Sequence, residues 1–247
     1  MIALTVLAAD TVPAVQRFAH TDRMSRLPRI ILWAWERPEN LNFIDPSKVA
    51  VAYLACTLDL NGAGVLVRPR FQPLTVPRHT VLIAVVRIES DRRLPPALSA
   101  LQRTKVASII ASLASASPSA IQIDFDARRS EREFYRDLLT DLRGRLPSPI
   151  PLSITALASW CLNDDWISAL PIDEIVPMLY RLGRDARAIK AYLRKGGEFG
   201  PAMSRNSVGI SLDDPVAGVT AGKRVYLFSP EPWTAAEYGN AIREVAQ

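Results

Sequence analysis

Two aspartates at the end of one alternating segment have the residue types and spacing best suited to chemistry. Residues 121–127 read Ile-Gln-Ile-Asp-Phe-Asp-Ala, and this alternation of apolar and polar side chains has the period of a β-strand. Asp124 and Asp126 are two residues apart, so both point to the face that Gln122 also occupies. Two carboxylates on a dry, buried face are costly, and the cost disappears if they open into a polar cleft. The pair therefore indicates the floor of an active-site-like cleft; for Asp126 alone, the alternative is that it caps a helix beginning near Arg128.

The elements that must position this pair alternate along the chain as strand and helix. The runs of strand followed by helix favour a parallel sheet with right-handed crossovers. Eight such strands predict an α/β protein with a (β/α)8 TIM-like barrel. A doubly wound open sheet is the competitor, but no Gly-rich phosphate loop follows any strand. The predicted strands are 29–35, 49–57, 80–88, 121–127, 152–157, 174–180, 207–212 and 223–228, and the predicted helices are 96–116, 130–146, 160–170, 187–195 and 234–246.

The barrel is predicted as a single domain over residues 27–247. An excursion rich in Gly and Pro at 58–78, with a hairpin arm at 65–70, predicts an irregularity between the second and third strands. Residues 1–26 form an N-terminal extension of uncertain structure, in which 11–20 has the composition of a short helix.

Composition limits the partners. The chain has 247 residues, 49% hydrophobic and 22% charged, which is ordinary for a globular protein. Its net charge of +5 comes from scattered arginines and not from a basic run, so no nucleic-acid partner is predicted. The two histidines, His20 and His79, and the two cysteines, Cys56 and Cys161, lack metal-ligand spacing, so no metal and no cofactor are predicted and the thiols are expected to be buried.

No stretch of about 18 apolar residues occurs, so no membrane span is predicted. Residues 1–10 are apolar but lack a basic n-region and are short for a signal peptide. The compartment stays open: exported or periplasmic if a signal lies upstream, otherwise cytoplasmic. Protein partners and oligomeric state also stay open.

In a barrel, the C-terminal ends of the strands build the site. Those ends supply Glu36 and Glu89 beside Asp124 and Asp126, and these four carboxylates are the candidate catalytic residues because carboxylate pairs can act as acid and base on glycosides. Tryptophans can stack on sugar rings and arginines can bind polar substituents. The candidate substrate-binding residues are Trp35, Arg37, Arg87, Trp160, Tyr180, Arg181 and Trp233.

These residue types also have structural explanations. The arginines could simply neutralise the four carboxylates in an ion-pair network at the barrel mouth. The tryptophans could belong to the core, as is expected of Trp33, or anchor a helix, as is expected of Trp166. Because two adjacent carboxylates would otherwise repel, Arg87 or Arg181 should lie within hydrogen-bonding distance of Asp124 or Asp126. Asp124 should be the more buried aspartate, bonded through both oxygens.

Two resemblances follow from these motifs. Ile-Asp-Phe-Asp at 123–126 and Pro-Met-Leu-Tyr at 177–180 resemble the strand-four and strand-six pattern of family 18 glycoside hydrolases. The strand-four motif of that family runs Asp-x-Asp-x-Glu, and its Glu is the general acid. Asp124 and Asp126 match the two aspartates, whereas Arg128 stands at the position of the acid. The resemblance therefore implies the barrel and the aspartate pair, without the family's catalytic acid.

Residues 27–183 more closely resemble a bacterial family known as domain of unknown function 3142. The segments that carry this resemblance are 32–39, 85–89, 122–128 and 176–183. It implies a barrel and supplies no activity, so function must be argued from the site.

The leading hypothesis is a carbohydrate-active barrel, either a glycoside hydrolase or a protein derived from one, with a carbohydrate ligand. The alternative is a non-catalytic sugar-binding or envelope scaffold barrel that has lost the catalytic acid. A third option is a hydrolase that holds a hard cation between Glu36, Glu89, Asp124 and Asp126.

Overall fold

Eight parallel strands close on themselves in the computed structural model, which describes residues 23–164 and 166–245. The strands of the described chain are β1 Ile30–Ala34, β2 Glu39–Asn40, β3 Val49–Asn61, β4 Gly64–Pro69, β5 Leu74–Thr75, β6 Val81–Ser90, β7 Ala120–Asp124, β8 Leu152–Leu157, β9 Glu174–Met178, β10 Ser207–Ser211 and β11 Arg224–Phe228. The order around the barrel is β1, β3, β6, β7, β8, β9, β10 and β11, and β11 pairs with β1 to close it.

The predicted (β/α)8 barrel is thus confirmed. β7 pairs in parallel with β6 on one side and with β8 on the other. It ends at Asp124, three residues before the predicted end, so Asp126 lies in the loop beyond the strand. The helices of the described chain are α1 Ala100–Ser112, α2 Arg132–Arg145, α3 Ala158–Asn163, α4 Ala186–Arg194 and α5 Ala235–Val245.

The irregularity between the second and third barrel strands is also present. β3 runs on to Asn61, turns at Gly62, and pairs antiparallel with β4. β4 and β5 occupy the connection to β6, and a bulge between Leu54 and Cys56 shifts the β3–β6 register. This hairpin stands at the C-terminal end of the barrel, beside the strand ends that carry the candidate site.

Alternation along the strands separates two apolar layers. Ile121 and Ile123 face outward and pack in the layer beneath the helices, where α2 buries five side chains. Gln122 faces the barrel interior, where Trp33 Nε1 donates a hydrogen bond of 2.9 Å to its Oε1. A Cβ at Gly209 would lie 2.7 Å from the Trp33 ring, so glycine is needed for this indole to fill the interior. Trp33 is a core residue, as its sequence position predicts.

The N-terminal end of the barrel is closed by polar side chains. Glu174 is buried at the start of β9 and pairs with Arg224 at 2.7 Å, while Tyr226 donates a 2.6 Å hydrogen bond to its other oxygen. Arg224 also donates to the main-chain oxygens of Met24 and Pro28, which ties residues 23–28 across this end. The helix predicted at 11–20 lies outside the described residues.

Cys56 in β3 and Cys161 in α3 are free and buried, as predicted. Across the described parts of the chain, none of the helices combines the length and the hydrophobicity that a bilayer crossing requires.

Candidate active site

A cleft of about 310 Å³ opens at the C-terminal ends of the barrel strands. It gathers carboxylates, arginines and aromatic rings from β1, β6, β7, β8, β9 and β11 and the loops that follow them. Its lining residues are Trp35, Glu36, Arg37, Arg87, Asp124, Asp126, Leu157, Met178, Tyr180, Arg181 and Phe228. In barrel enzymes this is the end that carries the chemistry.

Asp124 is the most enclosed carboxyl group of the cleft. It is the last residue of β7 and continues the inward-facing row of Gln122, and its side chain is only 15% exposed. The Thr155 hydroxyl on β8 donates a 2.6 Å hydrogen bond to Asp124 Oδ1. The pKa of Asp124 is raised to about 6, mainly because burial disfavours the charged form; the Thr155 hydrogen bond and Arg87 oppose this rise, and the charge of Asp126 adds to it. A carboxyl group with this pKa exchanges its proton close to neutral pH.

Asp126 lies two residues farther along the chain and is exposed at the mouth of the cleft. Partial desolvation inside the cleft raises the pKa of its carboxyl, and the charge of Arg87 opposes this shift. The following helical turn begins with Glu131 accepting a 2.6 Å bond from the Arg128 main-chain nitrogen. The side chain of Glu131, and not that of Asp126, therefore accepts the main-chain hydrogen bond at the start of that turn.

The burial predicted for the two aspartates agrees with the structure, but the predicted hydrogen bonds are only partly present. Asp124 is the more buried of the two, as predicted. Only its Oδ1 accepts a hydrogen bond from the described residues, however, because Arg87 Nε lies 4.0 Å from Oδ2. That separation is an ion-pair distance and is too long for a hydrogen bond. Oδ2 therefore has no hydrogen-bond partner among the described residues.

Glu36 and Glu89 are held by an ion-pair network at the rim. Arg87 pairs with Glu89 at 2.9 Å, and Arg68 of β4 reaches Glu89 at 3.2 Å and Glu36 at 3.8 Å. Arg68 also binds Asp59 through two hydrogen bonds of 2.6 and 3.1 Å. The neutralising network considered from the sequence therefore exists, but Arg68 is at its centre.

A second cavity, of about 300 Å³, adjoins the cleft and shares Arg87, Asp124 and Asp126 with it. Glu89 lines this second cavity and not the cleft. Arg128 lines it as well, with its Nη1 3.9 Å from Glu131 Oε1. The two aspartates therefore border both cavities, and an arginine occupies the strand-four position that carries the acid in family 18 glycoside hydrolases.

Aromatic rings form one side of the cleft. Tyr180 stacks on Phe228 with ring centroids 5.5 Å apart and an interplanar angle of 11°, and its edge meets Trp33 at 6.2 Å. Burial raises the pKa of Tyr180 far above its usual value, so its hydroxyl stays protonated at physiological pH. Trp35 lines the cleft with the Arg87 guanidinium 6.0 Å from its ring centroid. The site thus contains flat apolar surfaces beside its carboxyl groups.

Two predicted binding residues lie elsewhere. Trp160 is 4% exposed and packs against Trp166 at 5.1 Å in the layer outside the barrel. Trp233 is 4% exposed, and its Nε1 donates a 3.0 Å hydrogen bond to the Trp33 carbonyl. Neither lines the cleft, because the chain turns back onto the barrel immediately after β8 and β11.

Several contributors were not singled out as site residues from the sequence, among them Thr155, Phe228 and Arg70. Thr155 and Phe228 are strand residues whose inward direction becomes visible only once the strand bounds are fixed. Arg70, in the excursion after β4, donates to the main-chain oxygens of Ala34 at 3.1 Å, Arg37 at 2.7 Å and also Trp35. It therefore holds the Trp35–Arg37 loop from a distant part of the sequence. The only sequence signal was the arginine content of the excursion.

No group of three or more His, Cys, Asp or Glu side chains in residues 23–164 and 166–245 is placed to hold a metal ion. Glu36, Glu89, Asp124 and Asp126 thus do not form the hard-cation site of the third hypothesis.

Comparison with known protein families supports the second resemblance found in the sequence. Residues 78–180 match the model of the family described as Domain of unknown function (DUF3142). This match spans β6 to Tyr180 and so includes the aspartate pair. No curated protein matches the sequence.

Solved structures similar to this chain include chitinases and a cortex-lytic enzyme. A chitinase A candidate from Streptomyces coelicolor has a TM-score of 0.51 and 9% identity, covering 88% of this chain and 95% of that one. The spore cortex-lytic enzyme SleL of Bacillus cereus has a TM-score of 0.47 and 16% identity over 74% of this chain and 51% of that one. The chitinase domain of the Clostridium difficile spore coat protein CotE has a TM-score of 0.45 and 17% identity, over 88% and 71%. The chain spans about half the length of the cortex-lytic enzyme. At these identities, the likeness to the Streptomyces structure shows the barrel fold alone.

Proposed function

We propose that the cleft binds a carbohydrate and that Asp124 is the acid–base group of a glycoside hydrolase-type reaction. The observation that carries this proposal is the setting of Asp124: a carboxyl group with a pKa of about 6, on the floor of an open cleft. Such a group can give a proton to a glycosidic oxygen and take one back from water near neutral pH.

The two aspartates have different environments, which suits them to different roles. Asp124 is enclosed and hydrogen-bonded by Thr155, whereas Asp126 is exposed at the mouth. Pairs of carboxyl groups in unlike surroundings commonly divide into one that carries the proton and one that acts as a charged base or stabiliser. Asp124 would therefore protonate the leaving oxygen, and Asp126 would activate water or stabilise positive charge on the sugar.

The carboxylates at the rim are less suited to the acid role. Glu89 is bound by two arginines and lies outside the cleft, and Glu36 accepts a 3.4 Å hydrogen bond from the Thr57 hydroxyl. Glu36 does line the cleft and can still contact a ligand. Trp35 and Tyr180 would supply the apolar surfaces on which sugar rings pack.

A second candidate function is non-catalytic sugar binding. The observation that favours it is Arg128, which lines the adjoining cavity at the sequence position of the family 18 acid. A barrel that kept the cleft and the rings but lost that acid would bind a glycan without cleaving it.

The test begins with a glycan array on the purified protein, followed by a hydrolysis assay on every glycan that binds, starting with β-1,4-linked N-acetylglucosamine oligomers. The Asp124→Asn variant is expected to bind the same glycans and to lose at least about 100-fold in turnover, the usual contribution of a general acid–base group. Glu133→Gln, on the exposed side of α2, is the matched control and should keep full turnover.

Two results would change the conclusion. Binding by both proteins with no turnover in either would favour the sugar-binding scaffold. An absence of binding to any glycan would reject both candidate functions.

A further inference from the structure

Three arginines line the cleft, and two of them are already engaged within the protein. Arg37 donates to Glu39 at 2.6 Å and to the main-chain oxygens of Ser229 and Pro230, both at 2.8 Å. Arg87 pairs with Glu89 and lies 4.0 Å from Asp124. Both therefore hold the walls of the cleft together.

Arg181 is different. No carboxylate of the described residues lies within ion-pair distance of it, and its guanidinium lies 5.9 Å from the Phe228 ring centroid. Phe228 in turn stacks on Tyr180, so the charge rests against a rigid aromatic pair. Arg181 is thus an exposed cation that lines the cleft and has no ion-pair partner among the described residues.

The backbone at Arg181 is also unusual. Its φ is +54°, in the left-handed region that favours glycine, and it directly follows Tyr180. Residues held in this region cost conformational energy and tend to persist at binding sites when their side chain is needed there. Nothing in the packing of Arg181 requires an arginine, because its side chain is exposed.

The charged groups of the cleft differ in their partners. Arg87 lies 4.0 Å from Asp124 and pairs with Glu89, whereas Arg181 has no ion-pair partner among the described residues and lies beside the Phe228 ring. A ligand in this cleft would place a neutral glycosidic bond at the aspartates and a negative group at Arg181.

We propose that the carbohydrate bound in this cleft carries an anionic group, a carboxylate, sulfate or phosphate, and that Arg181 binds it. The planar guanidinium presents two parallel N–H donors that match the oxygens of all three groups. This inference rests on the proposed function, because it names the substrate class of the same cleft.

The experiment compares pairs of oligosaccharides with the same backbone, one neutral and one bearing a carboxylate, a sulfate or a phosphate, by calorimetric titration at low salt. The wild type is expected to bind an anionic member at least about tenfold more tightly than its neutral partner, as one charge-assisted bidentate contact allows. Arg181→Gln should lose this preference and keep its affinity for the neutral sugar. Arg184→Gln, which removes an exposed arginine that does not line the cleft, should retain the preference.

A second variant separates binding from folding. Arg181→Gly should lose the preference and melt at a higher temperature than the wild type, because glycine adopts a positive φ without strain. A lower melting temperature would show that Arg181 serves the fold and would overturn the proposal.

The remaining outcomes separate a failure of this inference from a failure of the proposed function. Equal affinity of the wild type for neutral and anionic sugars, or an unchanged preference in Arg181→Gln, would overturn this inference while the proposed function stands. Failure to bind any sugar would reject both.

Discussion

At the scale of single residues, the chemistry of the site depends on how deeply each carboxyl group lies. Asp124 and Asp126 are two positions apart, yet one ends a strand inside the barrel mouth and the other stands in the loop beyond it. Burial therefore acts mainly on Asp124, whose charged form is disfavoured, while the Thr155 hydroxyl keeps that carboxyl oriented. Depth in the barrel, and not residue type, distinguishes the two groups.

This difference predicts an unusual pH dependence of stability. The pKa of Asp124 rises from 3.8 to about 6 on folding, so the native state holds this proton more tightly than the unfolded chain does. The contribution of Asp124 to the free energy of unfolding should therefore fall as the pH rises from about 4 to about 6, by about 3 kcal/mol in total. Asp124→Asn removes this titration and its amide oxygen can still accept from Thr155. The free energy of unfolding of this variant should be close to that of the wild type at pH 4 and should exceed it at pH 8.

Urea unfolding at pH 4 and pH 8 measures both free energies. Asp126→Asn serves as the comparator, and its smaller burial predicts a smaller difference of the same sign. A stability difference for Asp124→Asn that does not change with pH would contradict the burial of the charged carboxyl.

At the scale of elements, the excursion between β3 and β6 organises the rim of the cleft. Arg68 links β4 to Asp59 on β3 and to Glu89 on β6. Arg70, two residues later, holds the Trp35–Arg37 loop through its main-chain oxygens. The segment that departs from regular barrel topology is thus the one that fixes two walls of the site, as is common for loops carried on a rigid scaffold.

Arg70→Met should loosen that loop, because the main-chain oxygens of residues 34, 35 and 37 and of Gln72 lose a shared charged donor. We expect a loss of about 2–4 kcal/mol in the free energy of unfolding. Hydrogen exchange should rise at residues 34–39 while β7 and β8 stay protected. Arg78→Met, at an exposed arginine in the same excursion, should leave both measurements unchanged. Uniformly faster exchange across the barrel would instead show that Arg70 acts on the whole fold.

At the scale of the whole molecule, the two ends of the barrel serve different purposes. The C-terminal end is open, and its two aspartates, Asp124 and Asp126, have few partners within the protein. The N-terminal end is closed by Glu174, Arg224 and Tyr226, which satisfy one another and bind residues 24–28. Polar groups at the first end are available to a ligand, whereas those at the second support the barrel.

Breaking the Glu174–Arg224 pair should therefore be costly. Arg224→Met leaves Glu174, with a side chain only 3% exposed, without its counter-charge, and we expect a loss of about 3–5 kcal/mol. The double variant Glu174→Gln with Arg224→Met should lose less than the sum of the two single changes, since they remove the same interaction. Urea unfolding checks both values. Glu198→Gln, which breaks an exposed pair of 3.6 Å with Arg205, should cost less than about 1 kcal/mol, and a loss equal to that of Arg224→Met would contradict the distinction.

The sequence by itself determined the barrel and the location of the aspartate pair. Period-two alternation marks the strand of the aspartate pair, and near-continuous apolar runs mark buried strands such as 49–57. The repeat of strand and helix then allows few arrangements other than parallel crossovers. Because strand ends converge at one edge of a barrel, the positions of Trp35, Arg87, Asp124 and Tyr180 along the chain suffice to predict that they share one cleft. These are consequences of local patterns, which are written directly in the chain.

Only the tertiary structure decided which side chains face the cleft and which are already engaged. Trp160 and Trp233 follow strand ends just as Trp35 does, yet the turn of the chain after each strand buries them outside the cleft. Arg37 and Arg181 each stand three residues beyond a strand end, and the groups that they contact, the Pro230 carbonyl and the Phe228 ring, come from the end of β11, far away in sequence. The raised pKa of Asp124 likewise depends on desolvation by several strands at once. Burial and partnership are properties of the packed barrel, because they arise from contacts between segments that no local pattern relates.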